Sequence, residues 1–431
     1  MWITLLVLGA GLFGSPLVGT ALEAQTRADS LADSLAAVAD RIARTEELLK
    51  MLRQQVAQLA REKAGTSSTA ELTFSGRVLA NGFVTDGRAN LNDVPTVALA
   101  PLTPPGGSPE AFSGSAGGSF RQTTFALSLR GQPLWGGQVS ARAEADLFGG
   151  VQDGSGGRRQ FPEPRLRIAT ATVQWAHGSL GLGQDTPLTS DVVPVTTSAI
   201  GLPLFAGAGH LWFWLPQVRA GVQSTGPIRL ALDGAVTAPW AGEAMSADSV
   251  DRIDAAERAK RPSLQARVAL RWGDDERAGL LGVGTHYGWV QRATGEQIAS
   301  KLVSVMLHAP LAEWLEVRGT WYRGEALRGL GGGGVSQSFG TGGVPLRDVG
   351  GWAQVVLSPV HALQVVGGCG VSDPDDAQTP LRRHNRQCEG SVTWRPGGLP
   401  LFGVSYRRIA TGYAAGTQVV RHLNFVTGVE F

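Results

Sequence analysis

The chain has 431 residues, of which 17% are charged, and a net charge of +2. So sparse and balanced a charge gives no broad attraction to nucleic acid. Glycine supplies 59 residues, roughly twice the usual ~7%, without the triplet period of collagen. The basic set is 34 Arg to 4 Lys.

Residues 1–24 open on an apolar run of about a dozen residues, which Gly14-Ser15-Pro16 interrupts before small residues lead to Ala21 and Ala24. This predicts a secretory signal peptide, although no Lys or Arg stands near Met1. Gly9, Gly11 and Gly14 spell GxGxxG, but a dinucleotide fingerprint needs a βαβ unit around it, and none follows. No later segment approaches the ~20 consecutive apolar residues of a membrane helix. Export then leads to the periplasm, the medium or an outer-membrane barrel.

Residues 25–65 change character. Leu31, Leu35, Val38, Ile42, Thr45, Leu49, Leu52, Val56 and Leu59 alternate steps of four and three, with charged and polar residues between them. This heptad seam predicts a periplasmic α-helical coiled coil and hence an oligomer, a homotrimer or a dimer. A single amphipathic helix packed on its own domain is the alternative. At 1.5 Å per residue the rod would span ~50 Å.

Beyond Gly65-Thr66-Ser67-Ser68-Thr69 the period becomes two. Sixteen alternating segments predict strands near 71–84, 119–131, 136–148, 164–176, 179–184, 214–224, 227–239, 262–272, 278–291, 299–309, 313–325, 350–358, 362–371, 387–396, 401–411 and 417–431. Their connectors alternate between short (GQPLWG, HG, STGP, GDDER, APLAE, SPVH, PGGLP) and long (85–118, 149–163, 185–213, 240–261, 326–349, 372–386). Tight turns on one rim and long loops on the other mark an up-and-down barrel of the outer membrane. The fold is therefore read as all-β, a 16-stranded antiparallel transmembrane β-barrel over 71–431 preceded by the helical coiled coil.

The alternation also assigns the two faces. Val139, Ala141, Ala143, Ala145 and Leu147 oppose Gln138, Ser140, Arg142, Glu144 and Asp146; Leu264, Ala266, Val268 and Leu270 oppose Gln265, Arg267 and Arg271. Side chains cannot fill so wide a cylinder, so the polar face should line a wet interior and the apolar face should meet lipid. Trp175, Trp272, Trp289, Trp314 and Trp394 near strand ends suit interfacial girdles. One strand resists: Arg165 and Arg167 share parity with Ala169, Ala171 and Val173, which a bulge near Ile168 would reconcile.

By parity, Arg77, Arg130, Arg142, Arg219, Arg229, Arg267, Arg271, Arg318, Arg395 and Arg407 face the lumen, against Glu144, Asp146, Asp233, Glu316, Glu389 and Glu430. Guanidinium offers forked donors to an anion and keeps its charge, so the surplus predicts mild anion preference. In the alternative reading the charges only solvate a channel and pair with one another. Cys369 and Cys388 end one strand and begin the next, both with outward parity. Same-face partners on adjacent strands approach to ~4.5–5.5 Å between Cβ atoms, which predicts a disulfide in an oxidising compartment; two thiols a register step apart are the alternative. The last strand, RHLNFVTGVEF, closes the barrel with Phe431 at the periplasmic rim. Its aromatic end resembles the signal read by the outer-membrane barrel-assembly machinery.

Several local stretches carry a family resemblance: Glu144-Ala145-Asp146-Leu147-Phe148-Gly149, then Arg165-Leu166-Arg167 with Gly183-Gln184, then Pro216-Gln217-Val218-Arg219. With the heptads and sixteen strands, the chain resembles trimeric porins, most closely the DcaP-like group. The likeness is best over 119–240. It implies a trimer whose pores favour small anionic solutes such as dicarboxylates, and a third loop folded into the barrel. The long segment near 185–213 stands in that place, with Asp185 and Asp191 as its acidic contribution to a constriction. The long first loop and the Gly-rich stretch 329–343 depart from the family pattern.

Seven histidines are scattered singly, and no HExxH, CxxC or GxSxG occurs. The Gly331–Gly334 run lacks the Lys-Ser/Thr of a phosphate cradle. No cofactor, metal or enzymatic activity is expected. Two function classes remain: a passive diffusion channel among outer-membrane lipid and lipopolysaccharide, or a structural tether whose rod crosses the periplasm.

Overall fold

The computed structural model describes residues 70–101, 114–149, 162–242, 253–273, 277–292, 294–333, 337–379 and 381–431, with Glu47, Lys50, Met51, Arg53 and Gln54. The chain divides into two units, Met1–Thr69 and Ala70–Phe431. In the first unit those five residues are helical. The signal segment and the heptad positions Leu31 to Leu59 lie outside the described residues.

The second unit is a single antiparallel sheet. Its strands are β1 (Glu71–Asp86), β2 in two pieces (Ser115–Ser119 and Thr124–Arg130), β3 (Gln138–Asp146), β4 (Arg165–Gln174) and β5 (Gly178–Asp185). There follow β6 (Leu215–Gln223), β7 (Ile228–Thr237), β8 (Ser263–Trp272), β9 (Gly279–Gln291), β10 (Gln297–Ala312) and β11 (Leu315–Glu325). The last are β12 (Arg347–Val360), β13 (Leu363–Pro374), β14 (Arg382–Trp394), β15 (Pro400–Tyr413) and β16 (Gly416–Glu430). Both pieces of β2 pair with β1, and the register moves by one residue across Phe120–Thr123. There the Thr123 hydroxyl oxygen accepts the Leu79 N–H at 3.1 Å in place of a ladder bond.

Strand β16 returns to β1, paired from Arg77↔Glu430 to Asp86↔Arg421. Phe431 lengthens that seam: the Gly76 N–H donates to its carbonyl at 2.9 Å, and its own N–H donates to the Gly76 carbonyl at 3.0 Å. The sheet thus closes into a barrel of sixteen staves with no free edge, which is what a β structure needs in hydrocarbon. The alternation of loop lengths is less strict than the sequence suggests. Two connectors on the long-loop rim, 292–296 and 414–415, are short hairpins.

The wall is apolar outward and polar inward. On β8, Leu264 and Val268 are 48% and 51% exposed, while Gln265 and Arg267 are 4% and 3% exposed. A soluble barrel would show the reverse. Trp135, Trp175, Trp272, Trp314 and Trp394 stand at the short-turn rim and Trp289 near the other. The resisting strand contains a bulge: Glu144 pairs with Ile168 and Ala145 with Leu166, leaving Arg167 as the extra residue. That insertion lets Arg165 and Arg167 both reach inward to Asp146. Cys369 and Cys388 are register partners, 4.1 Å apart at Cα, and are joined by a disulfide on the outward face.

The interior is not wet throughout, which corrects the expectation drawn from the strand count. Two long loops enter it with apolar side chains of their own. Val94 of the loop after β1 (loop 1) packs with Phe148, with Val192, Leu204 and Phe205 of the loop after β5 (loop 3), and with Met306 and Trp352 of the wall. Loop 1 is tied down through its backbone, where Asn385 and Gln387 donate to the Thr96 carbonyl at 2.8 and 3.0 Å. Hydrogen bonds to inward side chains are what allow irregular backbone inside a barrel.

Candidate functional site

Loop 3, residues 186–214, runs from β5 to the far wall, where wall side chains meet its backbone and Thr196 and Ser198 donate to Glu389. Gln265 accepts the Leu188 N–H at 2.8 Å, and Ser304 donates to the Thr189 carbonyl at 2.7 Å. Gln354 brackets Val195, accepting its N–H at 2.7 Å and donating to its carbonyl at 2.8 Å. Farther along, Gln387 donates to the Ala206 carbonyl at 2.9 Å. One ion pair joins this set: Arg267 binds Asp191 of the loop and also Asp233 of the wall, at 2.8 Å to the latter. Burial raises the Asp191 carboxyl, but the Arg267 guanidinium outweighs it and holds the group below the usual carboxylate range. His210 is buried beside Trp352, with ring centroids 5.7 Å apart, and its Nδ1 lies 3.0 Å from the Leu204 carbonyl. Burial pulls its pKa down to about 4, against the opposing effect of that hydrogen bond. The imidazole is therefore neutral at pH 7.

Between loop 3 and the β1–β4 wall lies a cavity of about 440 Å³. Its charged lining is Arg77, Arg142 and Arg167 against Glu144 and Glu430, with Phe431 at one end and Trp212 and Trp214 on the loop side. The groups form chains rather than isolated pairs. Arg142 donates to Glu144 at 2.8 Å, Glu144 also meets Arg167 at 3.2 Å, and Arg77 meets Glu430 at 2.7 Å. Beneath them Asp146, fully buried, accepts from Arg165 at 2.7 Å and lies 3.6 Å from Arg167. The Arg167 guanidinium sits 4.8 Å from the Trp214 ring centroid, within cation–π range. Such a wall offers a solute guanidinium donors on one side and flat aromatic surface on the other.

The structure divides the sequence-predicted residues into groups. Arg77, Arg142 and Glu144 line the cavity, with Asp146 supporting them from below. Arg219 is paired with Asp185, which also accepts the Thr186 N–H at 2.8 Å. Arg267 and Asp191 face inward but serve as a loop anchor, and at 3% exposure Arg267 is closed to solute. Arg318 is bound to Glu316 and donates to the Val193 carbonyl at 2.8 Å. Arg407 is likewise buried, held by Glu389 at 2.6 Å and donating to the Pro95 carbonyl at 3.2 Å. Arg229 and Arg271 stand near the short-turn end of the wall, Arg229 donating to the Gly273 carbonyl at 3.2 Å and Arg271 reaching Asp233 at 3.3 Å. Arg130 borders a separate depression of about 330 Å³ with Glu71 and Thr73. Arg395 shares Glu430 with Arg77, at 2.7 Å. Most of the arginine surplus is thus spent on carboxylates and loop carbonyls, and the free lining is narrower than parity suggests.

Arg167, Trp212 and Trp214 line the cavity but are not among the lumen-facing residues that parity assigns. A bulge hid the orientation of the first. The WFW run at the entry to β6 was the available sign of the other two.

No protein-family model and no curated protein matches the chain. Solved structures do match. The outer membrane channel DcaP of Acinetobacter baumannii aligns with a TM-score of 0.64 over 84% of this chain and 97% of that one, at 14% identity. The fold is that of a porin. The anion-selective porin from Comamonas acidovorans aligns with a TM-score of 0.53 over 84% of this chain and all of that one (100%), at 9% identity. At such identities the porin likeness is one of architecture, and the site must be argued from its own residues.

Proposed function

We propose that the protein is an outer-membrane diffusion channel for small hydrophilic solutes, with a preference for anions such as dicarboxylates. The observation that carries this reading is the cavity itself, where Arg77, Arg142 and Arg167 share the lining with Trp212 and Trp214. Two carboxylates, Glu144 and Glu430, line the same space, so the preference should be mild. A fixed array of guanidinium donors replaces part of an anion's hydration shell without holding the anion tightly. Anion selectivity in the Comamonas acidovorans porin supports the same direction.

In this reading the signal segment directs export, the Phe431 strand engages the assembly machinery, and the heptads form a periplasmic coiled coil in a homotrimer. The charge-free outward face of β2–β7 suits the contact between barrels. Purified protein in a planar bilayer should give stepwise ohmic conductance; silence would favour the tether. Replacing Arg142 and Arg167 with Gln should lower chloride preference while leaving conductance of the same order.

A further inference from the structure

Arginines inside the barrel are almost all paired, whereas several cations on its outer surface are not. Lys301 of β10, Arg323 of β11, Arg347 of β12, Arg386 of β14, Arg408 of β15 and Arg421 of β16 are all exposed. Each lies toward the long-loop end of its strand and alternates with outward apolar residues such as Val303, Trp321 and Tyr406. Arg347 meets Glu325 at 3.5 Å and Arg421 meets Asp86 at 3.0 Å. Among the described residues, the other four make no ion pair.

The register sharpens the anomaly. Arg408 lies directly opposite Arg421, and Cys388 lies opposite Arg408 on its other side. Arg386 stands two residues from Cys388 on the same face. Like charges directly opposite on one face of an antiparallel pair destabilise it. Three guanidinium groups on adjacent strands are therefore arranged as if around an anion. Immediately inward of Arg386 is a groove of about 700 Å³ in the outer wall. Small residues (Gly319, Gly351 and Ala353) and the Cys369–Cys388 bridge lie along it, with Val305 and Trp321 among its other apolar lining. Its polar end carries Arg386 and Asp373.

The geometry points to a binding site for one phosphate-bearing lipid of the outer leaflet. Its phosphate sits among Arg386, Arg408 and Arg421, and an acyl chain lies in the groove over the disulfide. This rests on the outer-membrane reading above. Charge complementarity selects the occupant: the cations stand near the interface, where an outward charge costs far less than at the bilayer midplane. A neutral lipid would leave Arg386 and Arg408 uncompensated, and Arg421 with only its exposed contact to Asp86. A soluble phosphate would leave the adjoining apolar groove unused.

The test uses the full chain in detergent, titrated with bisphosphorylated lipid A and read by native mass spectrometry. The unmodified protein should retain one lipid A per chain. Arg386→Gln with Arg408→Gln should weaken retention at least tenfold, whereas Arg277→Gln at a short turn should not change it. Dephosphorylated lipid A should bind the unmodified protein as weakly as the bisphosphorylated form binds the double variant. Equal retention by the double variant, or full displacement by millimolar inorganic phosphate, would overturn the assignment. Conductance separates the two readings: a double variant that conducts normally but loses lipid A supports the site. An unmodified protein that never inserts removes the outer-membrane reading instead.

Discussion

The outward faces of β2–β7 and of β10–β16 are parts of one wall with different chemistry. On the first, Ala141, Ala143 and Ala145 of β3 stand beside Ala169 and Ala171 of β4, and none of the described outward residues of these strands is charged. On the second, cations alternate with Trp321, Tyr406 and Phe425. Strand alternation decides only which side chains point outward. What each sector meets is decided by the side chains that alternation places there: a charge-free sector suits another copy of the protein, and a cationic sector suits anionic lipid. Arginine placement shows the same lesson radially, since inside the barrel it ties loops to the wall.

The largest effect that separates the sectors should come from assembly. Ala141→Glu with Ala171→Glu places like charges on register partners and should convert trimers to monomers in light scattering from mild detergent. Val305→Glu on β10 should leave the mass unchanged. Loss of trimers in both, or in neither, would remove the distinction. Replacing Leu35, Ile42, Leu49 and Leu52 with Asp should weaken the trimer while the barrel stays folded.

A smaller effect should follow acidification, through loop 3. His210 has a folded pKa of about 4, below the ordinary ~6.5. Its contribution is complete above pH 6.5 and is lost as pH falls toward 4, because the opened loop binds a proton that the packed loop does not. Asp191 is also depressed, by Arg267 in spite of burial, so its contribution persists above ~3.9 and fails only below that. Current noise from loop opening should rise between pH 6.5 and 4, and His210→Gln should flatten that rise. An unchanged rise in the variant would assign the transition elsewhere.

The smallest effect should come from the bridge. Reduction of Cys369–Cys388, whose positions are 19 apart in sequence, removes at most ~3 kcal/mol of loop-closure stabilisation. The ladder already holds these ends, so thermal unfolding should shift by a few degrees and conductance should not change. Two free thiols in denatured, unreduced protein would contradict the bridge.

Much of the barrel was legible because a period of two and connector length are local signals. Trp314, Phe425 and the Ala141–Ala145 run announce their faces without tertiary information. The bulge at Arg167 was visible only as a contradiction in parity, since its place depends on how β3 pairs with β4. Pairing was the least legible feature: Arg267 finds Asp191 across 76 positions and Arg407 finds the Pro95 carbonyl across 312. Parity therefore overstated the free arginine wall. The infolding of loop 1 was not anticipated, because its apolar residues, Val94 and Ala98 among them, form no pattern until Phe205 and Ile409 cover them.

The central claim is that the guanidinium cluster of the cavity gives the channel its sign. Reversal potential across a planar bilayer in a tenfold KCl gradient reads that sign directly. The structure predicts a modest chloride preference that shrinks as salt rises and the screening length falls, and that reverses in Arg142→Glu with Arg167→Glu. Cation preference in the unmodified channel, or no response to the double substitution, would contradict it.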